Sequence, residues 1–420
     1  MVWWKVRSFI KTGIQFNRQA VGSFVKYWQR EYLPKIINQR MLITSKLPNV
    51  GTTIFSVMSA LANRHGAINL SQGFPNFDCS DKLKKIVGKY IEEGYNQYAP
   101  MPGVPALRQR LAEKIKKLYN TDVDPDSEIT ITAGATQALY CAISAFVKPD
   151  DEVILIEPAY DSYRPAVEIN GGIPVTYQME APDYQVNWKM LERLITWKTR
   201  MIVVNTPHNP TGKIFKTEDW ENLKQISVDR DILVLCDEAY EHIVFDGEQH
   251  RSILQFPEIY SRGFSVFSLG KTLHATGWKI GACVAPPRLS KEFRKVHQFC
   301  TFSINTPIQY AIADFFADPE EYLHLNKFFE KKRDFLLSAM EGSRFKPIKS
   351  EGTYFQLFDY SDITDEPDVD FAKRMTTEYG VAAIPVSVFN SNKRDDKIIR
   401  LCFAKTEETL AKAGELLKKI

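Results

Sequence analysis

From residue 129 the chain alternates short apolar runs rich in β-branched residues with stretches patterned as helices. The runs 129–132, 153–157, 173–177, 200–204, 232–236, 264–267 and 280–284 have strand length and strand composition. Helical patterns at 136–147, 160–170, 188–196 and 217–229 fall between several of them. Apolar strands separated by helices predict an α/β unit with a mostly parallel, seven-stranded sheet covered on both faces. In such sheets ligands bind beyond the carboxyl ends of the strands, so the residues just after each run are where chemistry is sought.

After residue 310 the texture changes. A long helical pattern over 320–340 precedes a strand-like run at 352–358, a helix near 369–379, and further runs at 381–384 and 398–403. This predicts a smaller α+β domain over 311–420. The chain shows no internal repeat and no low-complexity linker.

Length and composition narrow the class. At 420 residues the chain is long enough for two or three domains and a large core. Its 44% hydrophobic and 25% charged residues are ordinary for a soluble globular protein. Lys+Arg 54 against Asp+Glu 51 gives a net charge of +3, which argues against a dedicated nucleic-acid binder. No stretch is apolar and long enough for an integral membrane segment. Cys79, Cys141, Cys236, Cys283, Cys300 and Cys402 are scattered, with no C-x-x-C pair, and the seven His are unclustered. They are expected to be reduced, in a cytoplasmic protein without a metal site.

Residues 1–40 stand apart. They carry Lys5, Arg7, Lys11, Arg18, Lys26, Arg30, Lys35 and Arg40 against one acid, Glu31, with aromatic residues interleaved. A basic amphipathic helix on a membrane surface and an organelle-targeting segment both suit this pattern. The preferred reading is a leader outside the true coding sequence, which would begin at Met41.

Four short motifs fall at the ends of predicted strands: Asn205-Thr-Pro-His-Asn209-Pro-Thr-Gly212, Asp237-Glu-Ala-Tyr240, Ser268-Leu-Gly-Lys271 and Gly134-Ala135-Thr136. Each has a plain explanation. Asn-Pro-Thr-Gly is ordinary turn chemistry. An Asp after a strand caps helices. A Lys at a strand end is usually a solvated charge, and a Gly-Ala-Thr helix start need bind nothing. Their joint occurrence, in this order and each at a strand end, is much harder to dismiss.

The order N-P-T-G, D-x-x-Y, S-x-x-K and a late Arg resembles the class I aminotransferases of pyridoxal-phosphate fold type I, over nearly all of 41–420. Within that family the chain looks closest to the kynurenine/glutamine aminotransferase branch, and closer still to bacterial methionine aminotransferases. The stretches that suggest this are Ser71-Gln-Gly-Phe-Pro75, Asn96-Gln-Tyr-Ala-Pro100, Thr301-Phe-Ser-Ile-Asn-Thr-Pro307, Glu351-Gly-Thr-Tyr-Phe355, Val381-Ala-Ala-Ile-Pro385 and Ile399-Arg-Leu-Cys-Phe-Ala-Lys405. The resemblance implies an N-terminal arm (41–75) belonging to the small domain, a large cofactor-binding domain (76–310) and a small C-terminal domain (311–420).

It also implies roles for particular residues. Lys271 anchors pyridoxal 5'-phosphate and, once released, moves the proton at the substrate α-carbon, which needs a lowered amine pKa. Asp237 stabilises the protonated pyridine nitrogen. Tyr240 and Asn209 donate to the phenolic oxygen, and Tyr160 stacks on the ring, although core packing would also account for an aromatic residue there. Backbone N–H groups of Ala135 and Thr136 at a helix start, with Ser268 and Lys279, hold the phosphate. Many relatives have Arg where this chain has Lys279, so bidentate geometry is lost there. Tyr98 reaches the phosphate of the other subunit, which requires a homodimer. Arg400 grips the substrate α-carboxylate, a structural ion pair being its alternative. Gly73 lets its backbone approach the substrate, although Gly-x-Pro is also a plain turn.

The partners implied are an amino acid and a 2-oxo acid. An acidic side chain would need a second cation, and the neighbouring candidates Phe74, Tyr160, Phe302 and Tyr354 are aromatic. A thioether or aromatic side chain fits better, which favours L-methionine over phenylalanine, kynurenine or glutamine. Two rival classes remain open: a pyridoxal-phosphate carbon–sulfur β-lyase on the same fold, and a non-catalytic effector-sensing domain.

Overall fold

The computed structural model describes residues 18–31 and 44–420. The chain divides into two units, 1–48 and 49–420. In the first, the helix Arg18–Glu31 exposes Lys26, Tyr27, Gln29 and Arg30. Residues 1–17 and 32–40 of the basic extension lie outside the described residues.

The second unit begins with the helix Ile54–His65 and a two-residue strand, β1 (Ile68–Asn69). Helices Asp81–Glu92 and Pro105–Tyr119 lead into the central sheet. Its strands are β2 (Ile129–Thr132), β3 (Glu152–Glu157), β4 (Ile173–Gln178), β5 (Thr199–Asn205), β6 (Leu233–Asp237), β7 (Gly263–Phe267) and β8 (Gly281–Val284), in the spatial order β2-β8-β7-β6-β5-β3-β4. Every neighbouring pair is parallel except those of β8, which runs antiparallel to both β2 and β7. The sheet is therefore mostly parallel, as the pattern predicts.

Successive strand residues point to opposite faces, and here both faces are apolar. Val153, Leu155, Met201, Val203, Leu233 and Leu235 pack into one buried cluster. Ile154, Ile156, Ile202, Val204, Val234 and Cys236 pack into another across the sheet. Each fully buried aliphatic side chain contributes roughly 1.5–3 kcal/mol relative to exposure. This double coverage is why the strands read as continuous apolar runs.

Helix Tyr163–Ile169 begins three residues later than its pattern suggests. Proline is tolerated in the first turn of a helix but not in its interior. Starting at Tyr163 places Pro165 in that first turn and leaves Tyr160 on the preceding loop. The long pattern over 320–340 breaks at His324 into Glu320–Leu323 and Leu325–Ala339.

The C-terminal part carries β9 (Lys346–Ile348), β10 (Phe355–Asp359), β11 (Val381–Ala382), β12 (Ile384–Pro385) and β13 (Ile398–Cys402). Four of these form an antiparallel sheet in the order β12-β13-β10-β9. β1 pairs in parallel with β11, and Met58 of the helix Ile54–His65 is buried with Ala372, Ile384 and Phe389. Residues 54–69 are thus built into the C-terminal elements, and this brings Gly73 against Phe355.

One glycine joins the sheet to the first helix of the site. A Cβ on Gly281 would lie 2.6 Å from the Phe267 carbonyl oxygen, 2.8 Å from Gly134 C and 2.9 Å from Ala135 N. All three are backbone atoms and cannot swing aside. Gly281→Ala is expected to lower stability by about 1–3 kcal/mol through overpacking. An unchanged thermal midpoint would show that the backbones are not held this close.

Candidate active site

Register places the chemistry in a row. Asn205 and Asp237 are paired positions at the ends of β5 and β6, and Asp237 pairs with Val266 one residue short of the end of β7. The three loops that follow carry Asn209, Tyr240 and Lys271 into one cavity of about 150 Å³. Asn205 ties two of them together: its Nδ2 donates to the Asp237 carbonyl at 2.8 Å, and its Oδ1 accepts from the Asn209 N–H at 2.8 Å.

Asp237 is buried and has no cationic side-chain partner within ion-pair distance among the described residues. Tyr163 Oη donates to Oδ2 at 2.6 Å, and the Ala239 N–H donates to Oδ1 at 3.1 Å. Burial pushes the carboxyl up to about 6, against the lowering effect of these two donors. The site therefore holds a carboxylate that a cation placed beside it would stabilise.

Lys271 lies on the connection between β7 and β8. Its Nζ donates to the Gly73 carbonyl at 2.7 Å and to Tyr354 Oη at 2.6 Å. Removal from water pushes its ammonium down to about 8, and the Arg400 and Lys279 charges act in the same direction. A substantial neutral fraction near pH 8 makes this amine a nucleophile and a base.

Arg400 sits on β13, the strand between β10 and β12, and is 1% exposed. Nη1 donates to Asn209 Oδ1 at 2.6 Å and Nη2 to the Ser71 carbonyl at 3.1 Å, while buried Nε has no hydrogen-bond partner. The guanidinium stacks on Phe355 at 3.8 Å. No carboxylate among the described residues forms an ion pair with it. Burial pushes it down to about 10, only partly offset by groups around it. A buried guanidinium lacking an anion is costly unless something anionic arrives.

The helix Gly134–Phe146, whose first residues line the cavity, opens with Gly134 at φ 78°, a left-handed conformation. A Cβ there would lie 3.4 Å from Lys279 Nζ. Free N–H groups of the first turn, the Lys279 ammonium and Ser268 line the same cavity, and such a helix start favours an anion.

Of the residues singled out from sequence, Ala135, Thr136, Tyr160, Asn209, Asp237, Tyr240, Ser268, Lys271 and Lys279 line this cavity. Gly73 and Arg400 touch it through Lys271 and Asn209. Tyr98 and Phe302 do not line it. They meet each other edge to face at 5.4 Å, and Tyr98 is 83% exposed. The sequence reading gave no role to Asn205 or Tyr163 and saw Tyr354 only as an apolar wall. Asn205 stood inside a quoted motif, and Tyr163 follows Tyr160 by nearly one helical turn, which were the available signals.

The family model for aminotransferase class I and II matches residues 65–417. The chain belongs to the class I and II aminotransferases. It is 49% identical to the methionine aminotransferase of Escherichia coli K12, over 91% of this chain and all of the relative. It is 35% identical to human kynurenine–oxoglutarate transaminase 3, over 89% of each. Among solved structures, an Escherichia coli protein whose structure and reactivity identified a methionine aminotransferase function superposes with a TM-score of 0.89 at 49% identity, covering 91% of this chain and all of that one.

The buried acid of this aminotransferase gives a pH test. The Asp237 carboxyl has an ordinary pKa of 3.8 and titrates at about 6 in the native state. Between those values the native state binds more protons than the unfolded state, so stability falls as pH rises. The loss is complete above pH 6, and amounts to at most about 3 kcal/mol. In ligand-free protein, Asp237→Asn is expected to relieve this cost at pH 7.5 and to make no such gain at pH 4. Urea unfolding of both proteins at the two pH values checks it. An equal effect at both pH values would mean that Asp237 ionises without penalty.

Proposed function

We propose that this aminotransferase uses pyridoxal 5'-phosphate to move the amino group of an L-amino acid with a thioether, apolar or aromatic side chain, L-methionine foremost, to a 2-oxo acid. The observation that carries the reading is Arg400, a buried guanidinium that forms no ion pair among the described residues, joined through Asn209 to the cavity that holds Lys271 and Asp237.

The residues fit the cofactor. The left-handed Gly134 turn leaves open the space a Cβ would fill, beside Lys279 and the first N–H groups of the helix, which suits a phosphate. Asp237 lines the same cavity, where a protonated ring nitrogen would supply the cation it lacks. Tyr240 and Asn209, which also line the cavity, offer a hydroxyl and an amide, and Tyr160 offers a ring face. When bound, pyridoxal phosphate supplies an electron sink for the electrons released at the substrate α-carbon.

This chain's own groups then divide the work. Arg400 binds and orients the α-carboxylate, with Asn209 fixing the guanidinium in turn. Lys271 Nζ, already lowered toward pH 8, takes the proton from the α-carbon and returns it one step later. Tyr163 and the Ala239 N–H hold Asp237 at a fixed angle. The C-terminal elements, with residues 54–69 built into them, close over the substrate and exclude water. Exposed Tyr98 and its neighbour Phe302 are assigned to the contact between two copies, where Tyr98 reaches the phosphate of the partner subunit. The six cysteines are free thiols, which suits a cytoplasmic setting.

Support for methionine comes from the named function of the Escherichia coli relative. The named activity of the human relative keeps kynurenine as a second candidate.

The first test is the visible absorbance of protein supplied with pyridoxal phosphate, before and after L-methionine without an acceptor. The bound-cofactor band is expected to convert to the pyridoxamine form and to return on adding a 2-oxo acid. Equal turnover of aspartate and methionine would sink the side-chain assignment. Pyruvate and ammonia released from cystathionine without acceptor would move the reading to a β-lyase. Arg400→Lys keeps the charge but loses the fork, and is expected to raise the KM for methionine on the order of 10–100-fold. An unchanged KM would place the carboxylate elsewhere.

A further inference from the structure

Around Lys271 one contact is left unused by the roles assigned above. Its Nζ donates simultaneously to the Gly73 carbonyl at 2.7 Å and to Tyr354 Oη at 2.6 Å, and Tyr354 Oη itself donates to the Gly73 carbonyl. These three polar atoms form a closed triangle that takes up two of the three protons of the Lys271 ammonium. Tyr354 is completely buried, and its ring lies edge-on to Tyr240 at 5.1 Å and to Phe355 at 4.9 Å.

The backbone that delivers Tyr354 is held with unusual care. Thr353, the residue before it, is buried with φ 67°. A β-branched residue in this left-handed region is a strained outlier that persists only where its surroundings over-determine it. Here the Thr353 N–H donates to the Ile243 carbonyl at 2.9 Å, its Oγ1 accepts from the Phe355 N–H at 3.2 Å, and the Tyr354 carbonyl accepts from the Phe403 N–H at 3.0 Å. The same turn directs Tyr354 toward Lys271 and Phe355 beneath Arg400. On the other side, Gly73 approaches because it has no side chain: a Cβ there would lie 2.8 Å from Phe355 Cζ.

We propose that Tyr354 is a positioning residue for the reaction: its hydroxyl and the Gly73 carbonyl form a dock that receives the Lys271 amine whenever that amine is not bonded to the cofactor. The proposal rests on the aminotransferase reading of Lys271. A released lysine on a flexible four-carbon stem has many rotamers, and proton transfer needs the amine in one place. Two acceptors fixed by independent segments, one after β1 and one just before β10, select that place. They also favour the charged amine, because hydrogen bonds to the ammonium stabilise it. The dock thus acts against burial, so that the amine can both accept and return a proton.

Tyr354→Phe keeps the ring and its packing and removes only the hydroxyl. In enzyme loaded with pyridoxal phosphate, kcat for methionine is expected to fall on the order of 10–100-fold, as for a misplaced catalytic group. The KM and cofactor affinity are expected to change little, and the isotope effect with α-deuterated methionine to rise. In cofactor-free protein, the pH dependence of trinitrobenzenesulfonate labelling of the Lys271 peptide, followed by mass spectrometry, reads the amine directly. Its apparent pKa is expected to fall by about half a unit to one unit in the variant, because an acceptor of the ammonium is lost. Gly73→Ala, which crowds Phe355 and displaces the second acceptor, is expected to reproduce the loss of kcat and the higher isotope effect. Should Tyr354→Phe unfold, that variant carries the test.

An unchanged kcat, isotope effect and amine titration would overturn the dock. So would a fall in thermal midpoint and cofactor retention with a rise in KM and an unaltered isotope effect, which would mark Tyr354 as packing alone. A wild-type protein that binds no pyridoxal phosphate would overturn the functional reading instead, and the amine titration would still decide the dock.

Discussion

Asn205 and Asp237 end adjacent parallel strands in register, and the Asn205 amide clamps the Asp237 carbonyl on one side and the Asn209 N–H on the other. The site depends on this alignment. Parallel pairing brings the carboxyl ends of β3, β5, β6 and β7 to one edge of the sheet, so that loops far apart in sequence empty into a common space. A slip of one residue in β6 would turn Asp237 to the opposite face. The apolar residues on both faces of β5 and β6 forbid that slip only in part, because both faces accept aliphatic side chains. The polar clamp at the strand ends supplies the missing specification.

The electrostatics follow from the same burial. Three ionisable groups, Asp237, Lys271 and Arg400, are each displaced toward their neutral forms by loss of water. None of them pairs with another as an ion pair. Instead they are held by neutral donors and acceptors: Tyr163 for Asp237, Gly73 and Tyr354 for Lys271, Asn209 and Ser71 for Arg400. A structural role would be served better by pairing these charges directly. Keeping them apart stores an unmet demand for a cation at one point and an anion at another, and a ligand carrying both kinds of charge satisfies it. The adjoining Lys114–Glu241 pair shows the contrast, since two buried opposite charges there meet each other and Tyr119 closes the network.

Two parts of the chain far apart in sequence converge on the amine. The segment after β1 and the residue just before β10 belong to the C-terminal elements, whereas Lys271 belongs to the central sheet. Their meeting at Lys271 Nζ means that the position of the C-terminal elements bears directly on the Lys271 amine.

Sequence alone determined every end of the central-sheet strands to within a residue, because two-sided burial leaves an apolar run that no other element of that length explains. It also determined the residue types at the strand ends, since N-P-T-G, D-x-x-Y and S-x-x-K each follow such a run. Only tertiary structure decided the late start of the helix at Tyr163, which leaves Tyr160 free to face the cavity, and the reversal of β8, because helix start and strand direction depend on neighbours. Only tertiary structure, too, showed that Tyr163 donates to Asp237 and that Tyr354 accepts from Lys271. Those pairings span 74 and 83 residues. A local pattern reports which face a side chain takes, and what meets it there is fixed by how the strands and helices pack.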